Sequence, residues 1–148
     1  MKIIWKKYYF LVFSESIVRR LGRLVSLGNN AMALTVWPFV FMHPQFKESR
    51  VFPELLQHEE IHIRQQLELL VVGALFLYVF EYLYARVIKK LDSRQAYYYT
   101  ALEQEAHRNA YKPHYLKTRK PYSWVRYLWE KKKLGRDEIG ALTEEDSA

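Results

Sequence analysis

Phe52-Pro53-Glu54-Leu55-Leu56-Gln57-His58-Glu59-Glu60-Ile61-His62-Ile63 is the stretch whose reading decides the fold. Pro53 and Glu54 open a helix in the favoured way, with proline in the first turn and an acid near the positive end of the dipole. Leu55, Leu56, Ile61, Ile63, Leu67, Leu69 and Leu70 then give that helix an apolar side. His58 and His62 are four apart, so they stand one above the other on a single helical face. Two imidazoles so placed can ligate one metal ion, with Glu59 beside the first of them. A catalytic zinc held in this way keeps one position open for water and lowers the pKa of that water. Glu59 is then the general base that takes its proton. The HExxH order is thus a plan for metal-assisted hydrolysis. A surface helix with two solvated histidines is the plainer alternative.

Composition sets the bounds. A chain of 148 residues, half of them hydrophobic and 16% aromatic, is one domain with a core of its own. There is no cysteine, so disulfides and thiolate ligands are excluded. The net charge is +7, and the tail from Gly135 to Ala148 carries one arginine against five acids, so the body is more basic still. Such a balance favours an anionic partner. Residues 1–134 are expected to form the single domain, with its metal core at about 31–116, and residues 135–148 an acidic flexible tail. Lys6-Lys7 interrupt the apolar start of the chain, which does not read as a signal peptide. The expected location is cytoplasmic, or peripheral on the cytoplasmic membrane.

Along the chain, residues 16–24 read as helix and Gly28-Asn29-Asn30 as a turn. Ala33 to Met42 is rich in β-branched and aromatic residues and reads as a strand. Pro38 within it suggests an edge position, because proline cannot donate to the ladder. An edge beside the metal helix can pair with an extended peptide; a buried strand with no substrate role is the other reading. Leu69 to Phe80 is uncharged but too short for a span of about twenty residues. It reads as a buried core helix after a bend at Gly73, with membrane embedding as the alternative. From Lys112 to Lys133 the chain is basic and aromatic, with a helix from Pro121 through Trp129. That helix suits an anionic membrane surface or docking through Trp124, Leu128 and Trp129. No nucleic-acid-binding motif accompanies these charges.

The third metal ligand is sought on a helix from about Arg94 that ends before Pro113. Glu103 shares a face with Tyr99, Ala106 and Ala110, and the small alanines allow close approach to the histidine helix. Glu105 lies about 200° round, with Leu102 and Asn109, so both cannot face one metal. Glu103 is preferred and Glu105 is the alternative. His107, His114, Tyr97, Tyr98, Tyr99 and Tyr111 could orient a ligand or stabilise an oxyanion, and no spacing selects among them. His43 reads as a solvated loop residue, and Arg64 and Gln65 as residues that flank the substrate or, more simply, as surface.

With these motifs in place the chain resembles the gluzincins, zinc metallopeptidases with HExxH on one helix and a glutamate ligand on a later one. His58-Glu59-Glu60-Ile61-His62, Gln65-Gln66, a hydrophobic helix and Glu103-Gln104-Glu105-Ala106 together resemble small bacterial proteins common in the Bacteroidota. The E-x-x-A arrangement is also similar to the third-ligand helix of membrane-bound HtpX-like proteases and ImmA/IrrE-type peptidases. In those families Asp or Asn follows the metal glutamate by four residues. Here that position is His107, whereas Glu105 would be followed by Asn109. The resemblance covers roughly residues 31–116 and implies a zinc site at His58, His62 and Glu103.

The expected architecture is therefore mainly α (α+β), a minimal zincin-like helical domain with a small β element at about residues 33–42. The expected function is zinc-dependent hydrolysis of peptide bonds in a peptide or protein substrate. The rival is a non-enzymatic membrane-surface or interaction protein that keeps a structural or vestigial zinc site.

Overall fold

The structure is a computed structural model and describes residues 1–24 and 31–131. It is mainly helical with a small four-stranded mixed sheet, the class the sequence predicts. The strands are β1 (Lys2–Trp5), β2 (Phe10–Phe13), β3 (Ala33–Val36) and β4 (Phe39–Met42), in the order β1-β2-β4-β3. β2 and β4 run parallel, while the outer pairs are antiparallel. The β part is thus larger than expected. The single strand predicted for residues 33–42 is a hairpin whose turn is Trp37-Pro38, joined by a cis bond. Pro38 belongs to that turn, and its carbonyl accepts the Phe10 N–H at 2.7 Å. The edge position falls to β3. Helix α1 (Glu15–Leu24) follows the reading of residues 16–24. The turn Gly28-Asn29-Asn30, Lys133 and the acidic tail at 135–148 lie outside the described residues.

Helix α2 (Phe52–Glu68) carries the HExxH motif and lays one face on the sheet. Ile63, fully buried, packs with Tyr9, Leu11, Phe13, Val40 and Met42. Burying such a side chain contributes about 1.5–3 kcal/mol, so this contact alone seats the helix firmly. Helix α3 (Val72–Val87) leaves α2 through a bend of 109°. The bend is not at Gly73. Leu70 and Val71 take it, at φ of 56° and 54°, a region costly for residues with a Cβ. Gly73 lies in the first turn of α3, where an added Cβ would meet nothing nearer than Leu69 Cβ at 3.5 Å.

The residues that α3 buries are Ala74, Glu81 and Ala85. Except for Leu77, which packs with Leu102 and Trp124, its large apolar side chains are mostly exposed, which departs from the expected core helix. Among the described residues no single helix is long and apolar enough to cross a membrane.

The helix expected from Arg94 is two helices, α4 (Ser93–Tyr99) and α5 (Ala101–Asn109). A capping box between Asp92 and Gln95 starts α4. Thr100 is extended and separates the two. Glu81 reaches from α3 to accept the Ala101 N–H at 2.8 Å, placing a carboxylate at the positive end of α5. Lys131 pairs with the same carboxylate and donates to the Tyr99 carbonyl at 2.7 Å. After a short helix α6 (Tyr115–Thr118), the basic aromatic segment forms a 3-10 helix at Ser123–Leu128. It docks through buried Trp124 and Tyr127, leaving Trp129 exposed.

Arg119 ties these pieces together. Its side chain is 4% exposed and binds Glu105, itself fully buried, at 2.6 Å, and Glu68 at the end of α2. Removing one partner of a buried ion pair strands the other charge without solvent, at a cost of about 3–5 kcal/mol. Arg119→Met is therefore expected to lower the unfolding free energy by about that amount in urea titration. A change below about 1 kcal/mol would show that the Glu105 charge is not held by this contact.

Candidate metal centre

The centre forms where α2 meets α5. Gln57 of α2 donates to the carbonyls of Asn109, Ala110 and Lys112 at 2.9 Å each, fastening the C-terminal end of α5. Ala106 is fully buried, so nothing large separates the helices there. The imidazoles of His58 and His62 meet with their Nε2 atoms 3.1 Å apart, as four-residue helical spacing requires. Glu103 enters between them, with Oε1 3.1 Å from His62 Nε2 and Oε2 3.4 Å from His58 Nε2. His107, one turn further along α5, brings its Nε2 to 3.4 Å from the same Oε2.

Donor atoms of His58, Glu103 and His107 all lie within 4.8 Å of one another, and this buried group could hold a metal ion. Two observations favour a cation there. Glu103 Oε2 and His107 Nε2 are buried and lack a hydrogen-bond partner, although such atoms are rarely left unsatisfied. The donor set is also nitrogen and carboxylate oxygen without sulfur, which suits a divalent transition metal.

Glu105, the alternative ligand, faces away. Its carboxylate accepts from Arg119, from Tyr115 Oη at 2.9 Å and from Gln65 Nε2 at 2.9 Å. The Gln65 amide oxygen lies 2.8 Å from His62 Nδ1. An amide oxygen only accepts, so Nδ1 carries a proton and Nε2 is the ring nitrogen turned toward Glu103. The chain from Arg119 through Glu105 and Gln65 thus orients one histidine from behind. Gln65, read as a surface residue, is fully buried in this role.

Burial sets the electrostatics. Desolvation lowers His58 to about 4, helped by the neighbouring His107. Burial also acts to lower His62, but the Glu103 carboxylate reverses this and pushes it up to about 9. Burial would raise Glu103, yet the His62, His107 and His58 imidazoles close around it hold it well below the usual carboxylate range. At Glu59 burial outweighs the nearby His62 and the Thr35 hydrogen bond, and raises it to about 7. A carboxylate poised there can exchange a proton near neutrality.

Glu59 is held by Thr35 of β3, whose hydroxyl donates to Oε2 at 2.6 Å. Gln66 fixes the same strand by accepting the Trp37 N–H at 2.7 Å and donating to the Thr35 carbonyl at 2.8 Å. A pocket opens between the helices and the chain leading into β3, lined by His58, Glu59, His107, Tyr97, Tyr98 and Ala33 among others. Of the oxyanion candidates, His107, Tyr97, Tyr98 and Tyr111 reach this pocket. His114 is exposed in the turn before α6, and Tyr99 instead packs beside Tyr84. His43 accepts the Gln45 N–H in a 3-10 turn at Pro44–Phe46, and Arg64 lies over the Tyr8 ring. Neither approaches the centre.

Thr35 and the placement of His107 were not selected by sequence. Thr35 is 24 residues from its partner and carries no spacing signal. His107 was one of six side chains that spacing left undivided, although its offset of four from Glu103 on a helix was the available clue. Comparison with family models, with curated proteins and with solved structures gave no match for this chain.

Glu103→Gln is expected to lower metal affinity by more than about a hundredfold, since it removes the charge that the imidazoles surround. Glu105→Gln should retain most of the bound metal. Elemental analysis after gel filtration measures both, with circular dichroism reporting the fold. Equal metal content in the two variants would place the ion elsewhere.

Proposed function

We propose that the chain is a zinc-dependent metallopeptidase, with His58, His62 and Glu103 as ligands and Glu59 as general base. The observation that carries this reading is the position of Glu59: held by Thr35, it shares one pocket wall with His58, beside a buried His/Glu cluster. Zinc held by these residues would supply Lewis acidity and would acidify a bound water. Glu59, with a pKa raised by burial to about 7, would be the residue to accept a proton from water and to return it to the leaving amine. Thr35 engages one carboxylate oxygen and so orients the other. Gln66 already occupies the outer groups of Thr35 and Trp37, and the strand edge before them at Ala33 borders the pocket. An extended peptide is the substrate that such an edge can pair with. His107, Tyr97 and Tyr98 are the nearby donors for an oxyanion. The HExxH and ExxA motifs support the same assignment through the resemblance to gluzincins.

His107 favours a second reading. Added to His58, His62 and Glu103, it completes four protein ligands, and a four-ligand zinc is structural and closed. Glu59→Gln separates the two. In the peptidase it keeps about one zinc per chain but lowers cleavage of unfolded protein or a peptide library by roughly 10²–10⁴-fold. No turnover by wild-type protein that holds its full zinc would establish the structural reading instead.

A further inference from the structure

Helix α3 turns two alanines, Leu77 and a buried acid inward and most of its large apolar side chains outward. Toward the protein it turns Ala74, Ala85 and the ion-paired Glu81, with Tyr78 against the Tyr97 ring at 6.1 Å between centroids. Away from it stand Val72, Phe76, Val79, Phe80, Leu83 and Val87, with Phe76 73% and Phe80 70% exposed. A surface helix of a water-soluble domain shows the opposite arrangement. The outer stripe runs the whole length of the helix, about 24 Å at 1.5 Å per residue. An apolar face of this kind marks contact with a protein or a membrane.

Charge decides between them. The stripe ends in Arg86, Lys89 and Lys90, all exposed. The one acid of α3, Glu81, is buried against Lys131, and Asp92, the next acid in sequence, caps α4 through Gln95. A second copy docked through α3 would therefore bring no carboxylate from that helix to these cations. Antiparallel, it would set them against Val72; parallel, against each other. An anionic lipid surface supplies both an apolar bed and negative headgroups. Sixteen residues of helix fall short of the roughly 30 Å hydrocarbon core, so the fitting geometry lies in the plane of the interface.

We infer that the outer face of α3 is a membrane-docking surface, inserting its apolar stripe into an anionic leaflet with Arg86, Lys89 and Lys90 at the headgroups. This surface is separate from the metal centre, and its test does not require turnover.

The full chain is floated with vesicles of phosphatidylcholine and phosphatidylserine, and with phosphatidylcholine alone. Wild-type protein should rise with the mixed vesicles and bind pure phosphatidylcholine more weakly. Phe76→Glu/Phe80→Glu should reduce partitioning by more than about tenfold, because two stripe residues become charged. Lys89→Glu/Lys90→Glu should weaken binding to the mixed vesicles and leave the phosphatidylcholine value nearly unchanged. Both pairs are exposed, so circular dichroism should match wild type. The inference is overturned if wild-type protein stays at the bottom of both gradients, or if Phe76→Glu/Phe80→Glu floats as wild type does. A dimer in sedimentation that this variant dissociates, without flotation of wild type, would give the face to a second copy.

Discussion

A carboxylate buried among three imidazoles is the constraint that the rest of this molecule serves. Glu103 is nearly inaccessible, and an isolated charge there would be costly. Its neighbours His58, His62 and His107 offset that cost only if α2 and α5 cross at a fixed point and rotation. The chain achieves this with interruptions rather than with long regular helices. Leu70 and Val71 turn the path back on itself after α2, and Thr100 ends α4 so that α5 can begin at a new angle. Gln57 then holds one end of α5 and Glu81 the other. Both contacts fall on backbone groups that a helix leaves unsatisfied, so they stabilise the helix and aim it at once.

Much of the centre was legible because helical spacing carries three-dimensional information. His58 and His62 had to share a face, and Glu103 and Glu105 had to diverge by about 200°. The small residues beside Glu103 said which of the two could approach another helix, and the structure turns Glu103 toward the histidines. What spacing could not convey is what happens where helices stop. The uncharged run after Leu69 gave no sign that two non-glycine residues would take positive φ, and Gly73 drew attention to the wrong position. Thr100 resembles any helix residue until Glu81 is seen to accept the N–H of Ala101, twenty positions after it.

The sheet was half legible for a related reason. Val36, Phe39, Val40 and Phe41 carry strong strand preference, whereas β1 and β2 are four residues each and are parted by two lysines and two tyrosines. Their identity as strands depends on the parallel pairing of β2 with β4, a contact between segments almost thirty residues apart. Thr35 belongs with these. Nothing local distinguishes it from other threonines of a strand, yet its hydroxyl meets Glu59 because Gln66 pins that edge to α2. The sheet therefore bears on the centre directly: it positions the carboxylate of the motif.

Helix α3 joins the two parts of the molecule by the division of its faces. The inner face seats Glu81 at the start of α5, packs Leu77 with Leu102 and Trp124, and sets Tyr78 edge-on to Tyr97, which is buried beside Glu103. The outer stripe from Val72 to Val87 is left exposed and apolar. A helix built to sit in a soluble core would exchange these two roles. Substitutions on the inner face should thus disturb the placement of Glu103, while those on the outer face leave Glu81 and the Tyr78–Tyr97 contact in place. The two faces can vary separately because the helix backbone lies between them.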